Sequence, residues 1–177
     1  MSVPRCTVGF MNEEEKKLIE TAQRIATSAH AGQTDQGGQP YIGHPQRVAA
    51  RLADQGAAPE QIAAGWLHDV LEDTDWTADM LRQEGISDAT ITLVEAMTHP
   101  HGEPNVKYAA RLRACPGAVQ IKLADIADNT DPKRMAVLDD ERRERMTAKY
   151  VKMRRLLSES DTAEEQSHDA KEPANTD

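Results

Sequence analysis

A chain of 177 residues suits one domain that buries roughly two-thirds of its unfolded surface. No apolar run approaches the ~18–20 residues of a membrane span and no basic-then-apolar leader opens the chain, so a cytoplasmic address without a membrane partner is expected. The net charge of −9 comes with no basic stripe, which argues against a polymeric nucleic acid but leaves room for a small anion held by local positive charge.

Asn12 and Glu15 have capping-box spacing, and Leu18, Ile19, Ala22, Ile25 and Ala26 form an apolar stripe, which predicts a helix ending near Gly32. GQTDQGGQPYIG, residues 32–43, is too rich in glycine and proline for a regular element. His44 stands just before Pro45, a favoured first helical residue, and the helix is expected to run to Gly56. Ile62, Ala63, Trp66, Leu67, Val70 and Leu71 share one face, which predicts a third helix over about 59–72 with Trp66 in the core. Thr77 and Ser87 are hydroxyl caps for two shorter helices, reaching Gln83 and Met97. ACPG at 114–117 separates a helix containing Tyr108 and Leu112 from one carrying AVQIKLADIADN, within which VQIKL also admits a strand reading. A last helix over about 139–157 places Met146, Tyr150, Met153 and Leu157 along one side.

Abundant alanine and few aromatics suit closely packed helices, so residues 1–157 are expected to form one all-α domain. The only cysteines, Cys6 and Cys115, have poor metal-ligand spacing and make no disulfide framework. Residues 158–177 hold seven acids against one lysine, which places −6 there and −3 in the remainder. Lacking apolar periodicity, this segment is expected to be a disordered acidic tail.

The stretch LHDVLEDT, residues 67–74, concentrates the chemistry. On a continuous helix His68 stands over Glu72 and Asp69 over Asp73, opposite the apolar stripe. That is the pattern of a solvated face, or of a cation site, because three neighbouring carboxylates repel unless screened. Asp125 is flanked by Leu123, Ala124, Ile126 and Ala127, and a buried carboxylate needs a partner. His44, His68, Asp69 and Asp125 together offer a borderline-to-hard donor set for Mn²⁺, Fe²⁺, Zn²⁺ or Mg²⁺. His30 is the competing histidine, expected to brace the core or a loop. Lys107, Tyr108, Arg111, Arg134, Lys149 and Tyr150 fit phosphate contact and an ordinary amphipathic face equally well.

The segments AHAGQ…GGQPYIGHP, GWLHDVLEDT and IKLADIADN, in this order, resemble the hydrolase domain of RelA/SpoT-type alarmone enzymes, within the HD phosphohydrolase superfamily. The likeness runs from about Ile19 to Asn129. It implies a helical HD-domain bundle with one divalent metal, typically Mn²⁺, on His44, His68, Asp69 and Asp125. It makes Glu72 and Asp73 the acidic pair that orients or deprotonates the attacking water. The implied reaction removes the 3′-pyrophosphate of guanosine tetra- or pentaphosphate, with Asn129 near the nucleotide and Lys122 in a salt bridge or on phosphate. Tyr41, Lys107, Tyr108 and Tyr150 complete the candidate contacts to this small-molecule substrate.

One position departs from the pattern. Where these hydrolases read GQxR, with an arginine packed on guanine, this chain reads GQTDQ and carries Asp35. Either the base is held differently, for instance by Tyr41, or the substrate is another phosphorylated nucleotide. A phosphatase acting on a ribose 2′- or 3′-phosphate, an inactive nucleotide-binding HD module and an adaptor using its acidic tail stay open as readings.

Overall fold

The computed structural model describes residues 11–159, which form ten helices and, among themselves, no strand beyond one isolated bridge between Thr34 and Pro40. The expectations for Cys6 and for the tail from residue 160 onward lie outside the described residues. No helix among the described residues is long and apolar enough to cross a membrane.

Local capping chemistry sets most of the boundaries. Helix α1 (Glu13–Ala29) begins at a capping box in which the Asn12 side chain accepts from the Glu15 N–H and Glu15 accepts from the Asn12 N–H. Helix α2 (Gly43–Asp54) takes His44 into its first turn and is followed by Gly56 at φ +70°. Helices α5 (Ala78–Gln83) and α6 (Asp88–Met97) start where the Thr77 and Ser87 hydroxyls accept from backbone N–H groups three residues on.

Between α2 and α5 the expected single helix is two. Helix α3 (Pro59–Leu67) stops before His68, and a short α4 (Val70–Asp73) resumes after Asp69, whose backbone sits at φ −101°, ψ −4°. The break corrects the solvated-face reading. His68 turns inward and is only 1% exposed, because the Gly65 carbonyl captures its Nδ1–H at 2.8 Å. This contact at the end of α3, joined by Tyr41 from the loop before α2 and His44 from α2, overrules the local helical register.

Helices α7 (Asn105–Ala114) and α8 (Ala118–Asn129) flank a turn that uses Gly117 at φ +91°, and VQIKL is helical within α8. Helix α9 (Pro132–Met135), unmarked in the sequence pattern, is capped by Asp131, and α10 (Asp140–Ser158) by Asp139.

Helix α3 is the central element, buried from Ile62 to Leu67 and packed by α1, α2, α6 and α8. A Cβ at Gly65 would lie 2.6 Å from Leu52 Cδ1 and 3.3 Å from the Ala49 Cα, so α2 and α3 approach closely there. The same two helices carry His44 and lead into His68. Helix α10 lies against α7 and α8 with Tyr150, Met153, Leu156 and Leu157 turned inward, closing the far side of the site.

Candidate active site

Four side chains from three elements converge. His44 comes from the first turn of α2, His68 and Asp69 from the α3–α4 break, and Asp125 from the middle of α8. The two imidazole Nε2 atoms are 3.2 Å apart. Asp69 Oδ2 lies 2.9 Å from His68 Nε2 and 3.6 Å from His44 Nε2. Asp125 Oδ1 lies 3.2 Å from His44 Nε2 and 3.9 Å from His68 Nε2. His44, His68 and Asp69 place donor atoms mutually within 4.8 Å, and Asp125 joins them through the imidazoles.

The donor set tests well as a cation site. The Gly65 carbonyl can only accept, so His68 carries its proton on Nδ1 and its neutral ring offers a lone pair at Nε2. His44 does the same, since its Nδ1 lies 2.7 Å from the Asp128 carboxylate. Two facing lone pairs with two carboxylate oxygens beside them need positive charge between them. Donors about 2.1 Å from one ion lie roughly 3.0–3.4 Å from their neighbours, close to the spacings seen here.

Without an ion, protons would meet part of this need. Burial works against a charged His68, but the adjoining Asp69 carboxylate raises it to about 9. Burial likewise opposes ionisation of Asp69, yet His68 holds it down to about 2. Asp125 is driven well below the carboxylate range by Lys122 and His44 despite its burial. A divalent ion would replace those protons and compete with them.

A second ring of contacts fixes the donors. Tyr41 donates its hydroxyl to Asp69 Oδ2 at 2.5 Å. Lys122 Nζ donates to Asp125 Oδ2 at 2.8 Å, and Asn129 Nδ2 to Asp125 Oδ1 at 2.6 Å. Asp128, itself buried, receives His44 Nδ1, Arg47 Nε at 2.6 Å and Arg134 Nη1 at 2.6 Å. Burial would raise its pKa, but the His44 and Arg47 hydrogen bonds hold the carboxyl down to about 2.

Above the cluster opens a cavity of about 520 Å³, within the roughly 300–1,000 Å³ typical of small-ligand sites. Lys122, Lys133, Arg134 and Lys149 line it, and Val137, Leu138, Met146 and Met153 supply an apolar wall. Tyr41, Tyr108, Asn129 and Tyr150 also line it, although Tyr41, Lys122 and Asn129 are engaged with the acids below. Glu72 lies on the wall and accepts the His99 backbone N–H at 2.9 Å. Asp73 is not among the lining residues, and burial, with Asp69 and Glu72 beyond it, raises its pKa.

Lys107 is exposed on α7 and takes no part in the lining. Arg111 is bound to the carbonyls of Glu95, Ala96 and Thr98 and to Glu103. His30 stays outside the cluster, with Nδ1 2.8 Å from Gln33 Oε1 and its ring 4.9 Å from that of Tyr41. Asp35 ties its own loop, since its Oδ1 accepts from the Gly37 and Gln39 N–H groups while Oδ2 lies 3.9 Å from Arg134 Nη2.

Sequence reasoning missed two residues. Asp128 sits in the same apolar run as Asp125, so the buried-acid argument applied there would have found it. His99, on the cavity wall, carried no signal, because THPHGEPN reads only as a loop.

Known proteins resemble this chain. The family model described as HD domain matches residues 22–162. A GTP pyrophosphokinase of Streptomyces coelicolor is 34% identical over 122 residues, covering 64% of this chain and 14% of that protein. A guanosine-3′,5′-bis(diphosphate) 3′-pyrophosphohydrolase of Aquifex aeolicus is 32% identical over 143 residues, covering 76% of this chain and 20% of its own length. The chain therefore spans a fifth or less of these two relatives. A solved structure described as a metazoan ortholog of SpoT that hydrolyzes ppGpp superimposes with a TM-score of 0.68 at 22% identity, covering 85% of this chain and 88% of its own. At that identity the likeness speaks for the fold alone.

Proposed function

The chain belongs to the HD-domain family, and we propose that it hydrolyses a phosphate ester of a small nucleotide, removing the 3′-pyrophosphate of guanosine tetra- or pentaphosphate. The observation that carries this reading is the convergence of His44, His68, Asp69 and Asp125 at the base of a cavity lined by four cationic side chains. The name of the Aquifex aeolicus relative supports the choice of substrate.

A divalent ion on those four residues, with Mn²⁺ a good match to mixed imidazole and carboxylate donors, would lower the pKa of a water and offset phosphate charge. The chain's own groups do the rest. Tyr41, Lys122 and Asn129 hold the Asp69 and Asp125 carboxylates so that their oxygens stay aimed at the cluster. Glu72, steadied by the His99 N–H, orients the attacking water and takes its proton. Lys133, Arg134 and Lys149 face the remaining phosphates, while Val137, Leu138 and Met146 receive the base.

Asp35 favours a second reading. It occupies a wall position where the alarmone pattern has arginine, and it faces Arg134 instead. An HD nucleotide phosphatase that recognises another base, or a ribose 2′- or 3′-phosphate, would use the same chemistry.

Metal-stripped protein, reloaded with Mn²⁺ and offered a nucleotide panel, separates these readings through release of pyrophosphate or phosphate. Pyrophosphate from guanosine tetraphosphate is the expected product; phosphate from a different nucleotide selects the second reading. Glu72→Gln should keep its metal and lose ~10²–10⁴-fold in turnover. His68→Ala should lose both. A Glu72→Gln protein of full activity would end the proposed role of that carboxylate.

A further inference from the structure

Hydrolysis of a ribose ester needs a second proton transfer. When the P–O bond breaks, its electron pair stays on the ribose oxygen, and an alkoxide departs poorly unless it is protonated as it leaves. The inference below rests on the hydrolytic reading of this site.

Three proton carriers on the cavity wall are committed elsewhere. The Tyr108 hydroxyl donates to the Met97 carbonyl at 2.5 Å, and burial pushes it up to about 12. Lys122 is bonded to Asp125, which, against burial, keeps its pKa far above the usual lysine value. Tyr41 is bonded to Asp69 and is also pushed far up by burial.

His99 differs from all three. Its ring stacks on Tyr108 with centroids 4.2 Å apart and planes 6° from parallel. Its Nε2 lies 2.8 Å from the Glu103 carbonyl, which can only accept, so Nε2 carries a hydrogen. Nδ1 takes no hydrogen-bond partner among the described residues, and the side chain is 30% exposed on the cavity wall. The residue's backbone N–H holds Glu72. Arg111 braces both ends of the loop by bonding the Thr98 carbonyl and the Glu103 carboxylate. Lys122 Nζ, bonded to Asp125, lies 5.4 Å from the Tyr108 ring centre, which places the stack near the Asp125 end of the cluster. An imidazole with one nitrogen anchored, its plane fixed and the other nitrogen unpaired is arranged for proton transfer.

We propose that His99 is the general acid of this site. Water attacks phosphorus and gives a proton to the Glu72 carboxylate. The bond from phosphorus to the ribose oxygen breaks, and the pair left on that oxygen takes the proton from Nδ1 of the imidazolium. The ring is left neutral with Nε2–H still on Glu103; solvent then returns a proton to Nδ1 as Glu72 releases its own.

His99→Gln keeps an amide able to donate to Glu103 but removes the acid. Metal content and Tm should match the parent, while turnover of the ribose ester falls ~10²–10⁴-fold with KM little changed. With p-nitrophenyl diphosphate, whose phenolate leaves without a proton, the loss should shrink to a few-fold. Added imidazole should restore part of the turnover of His99→Ala. An equal loss on both esters, or a His99→Gln protein that cleaves the ribose ester like the parent, overturns the assignment. A parent inert toward guanosine tetraphosphate defeats only the substrate reading, and the comparison then uses whichever ribose phosphate the parent cleaves. A parent that cleaves none overturns both.

Discussion

Asp128 shows how one side chain can govern a site it does not belong to. Its buried carboxylate fixes His44 in the tautomer that turns Nε2 toward the cluster, and Arg47 and Arg134 keep that carboxylate charged. Asp128→Asn keeps the shape and removes the charge, so His44 loses the partner that selects its tautomer. Metal affinity should fall about 10–100-fold in titrations of stripped protein. An unchanged affinity would mean that packing alone orients the ring. Asp125 was legible in the sequence because a charge among Leu123, Ala124, Ile126 and Ala127 is conspicuous. Asp128 obeys the same rule three residues later, yet only its contact with α2 gives it a purpose.

At the scale of elements, two segments carry the site. The loop over residues 32–43 is closed by Asp35, which accepts two of its own backbone N–H groups and faces Arg134. Judged by resemblance alone, Asp35→Arg restores a base-stacking group and should help the alarmone bind. The structure gives the opposite expectation: the loop loses its acceptor and a second guanidinium arrives beside Arg134. The kcat/KM for the cleaved nucleotide should fall, mainly through KM, and a gain would show that the loop tolerates the change.

The other segment is the crossing of α2 and α3. Gly65→Ala pushes a methyl into Leu52 and the Ala49 backbone, both in the core. Such overpacking costs about 1–3 kcal/mol, and each kcal/mol lowers Tm by about 2–4 °C in a chain of this size. A thermal melt within a degree of the parent would mean that the crossing relaxes freely.

Across the whole molecule, charge is unevenly placed. The protein is strongly acidic, yet Lys122, Lys133, Arg134 and Lys149 line one cavity and offset the carboxylates of Asp35, Asp69, Glu72 and Asp125 on the same wall, so the site is far less negative than the chain as a whole. Residues 160–177 add six acids against one lysine and no apolar periodicity. Their deletion should leave Tm and hydrolysis nearly unchanged, because such a composition buries little. A drop of several degrees would instead place these residues against the body, where the basic side chains of α10 offer the complementary surface.

The all-α class and the capped starts of α1, α5 and α6 were legible in the sequence, because capping and apolar spacing are local properties. His44, His68, Asp69 and Asp125 stood out as candidate donors by residue type, and the fold brings them together. The break between α3 and α4 was not legible. Local spacing favours an unbroken helix there, and only the Gly65 carbonyl, the Tyr41 hydroxyl and the opposing imidazole turn His68 and Asp69 inward. Lys107 and Tyr108 are neighbours on one helix, and only packing decides that Tyr108 faces the cavity while Lys107 faces water. The sequence by itself determined which residues can hold charge and where helices can begin. Tertiary structure alone decided which of those charges meet, since His44 reaches His68 and Asp128, and Tyr41 reaches Asp69, across more than twenty residues of chain.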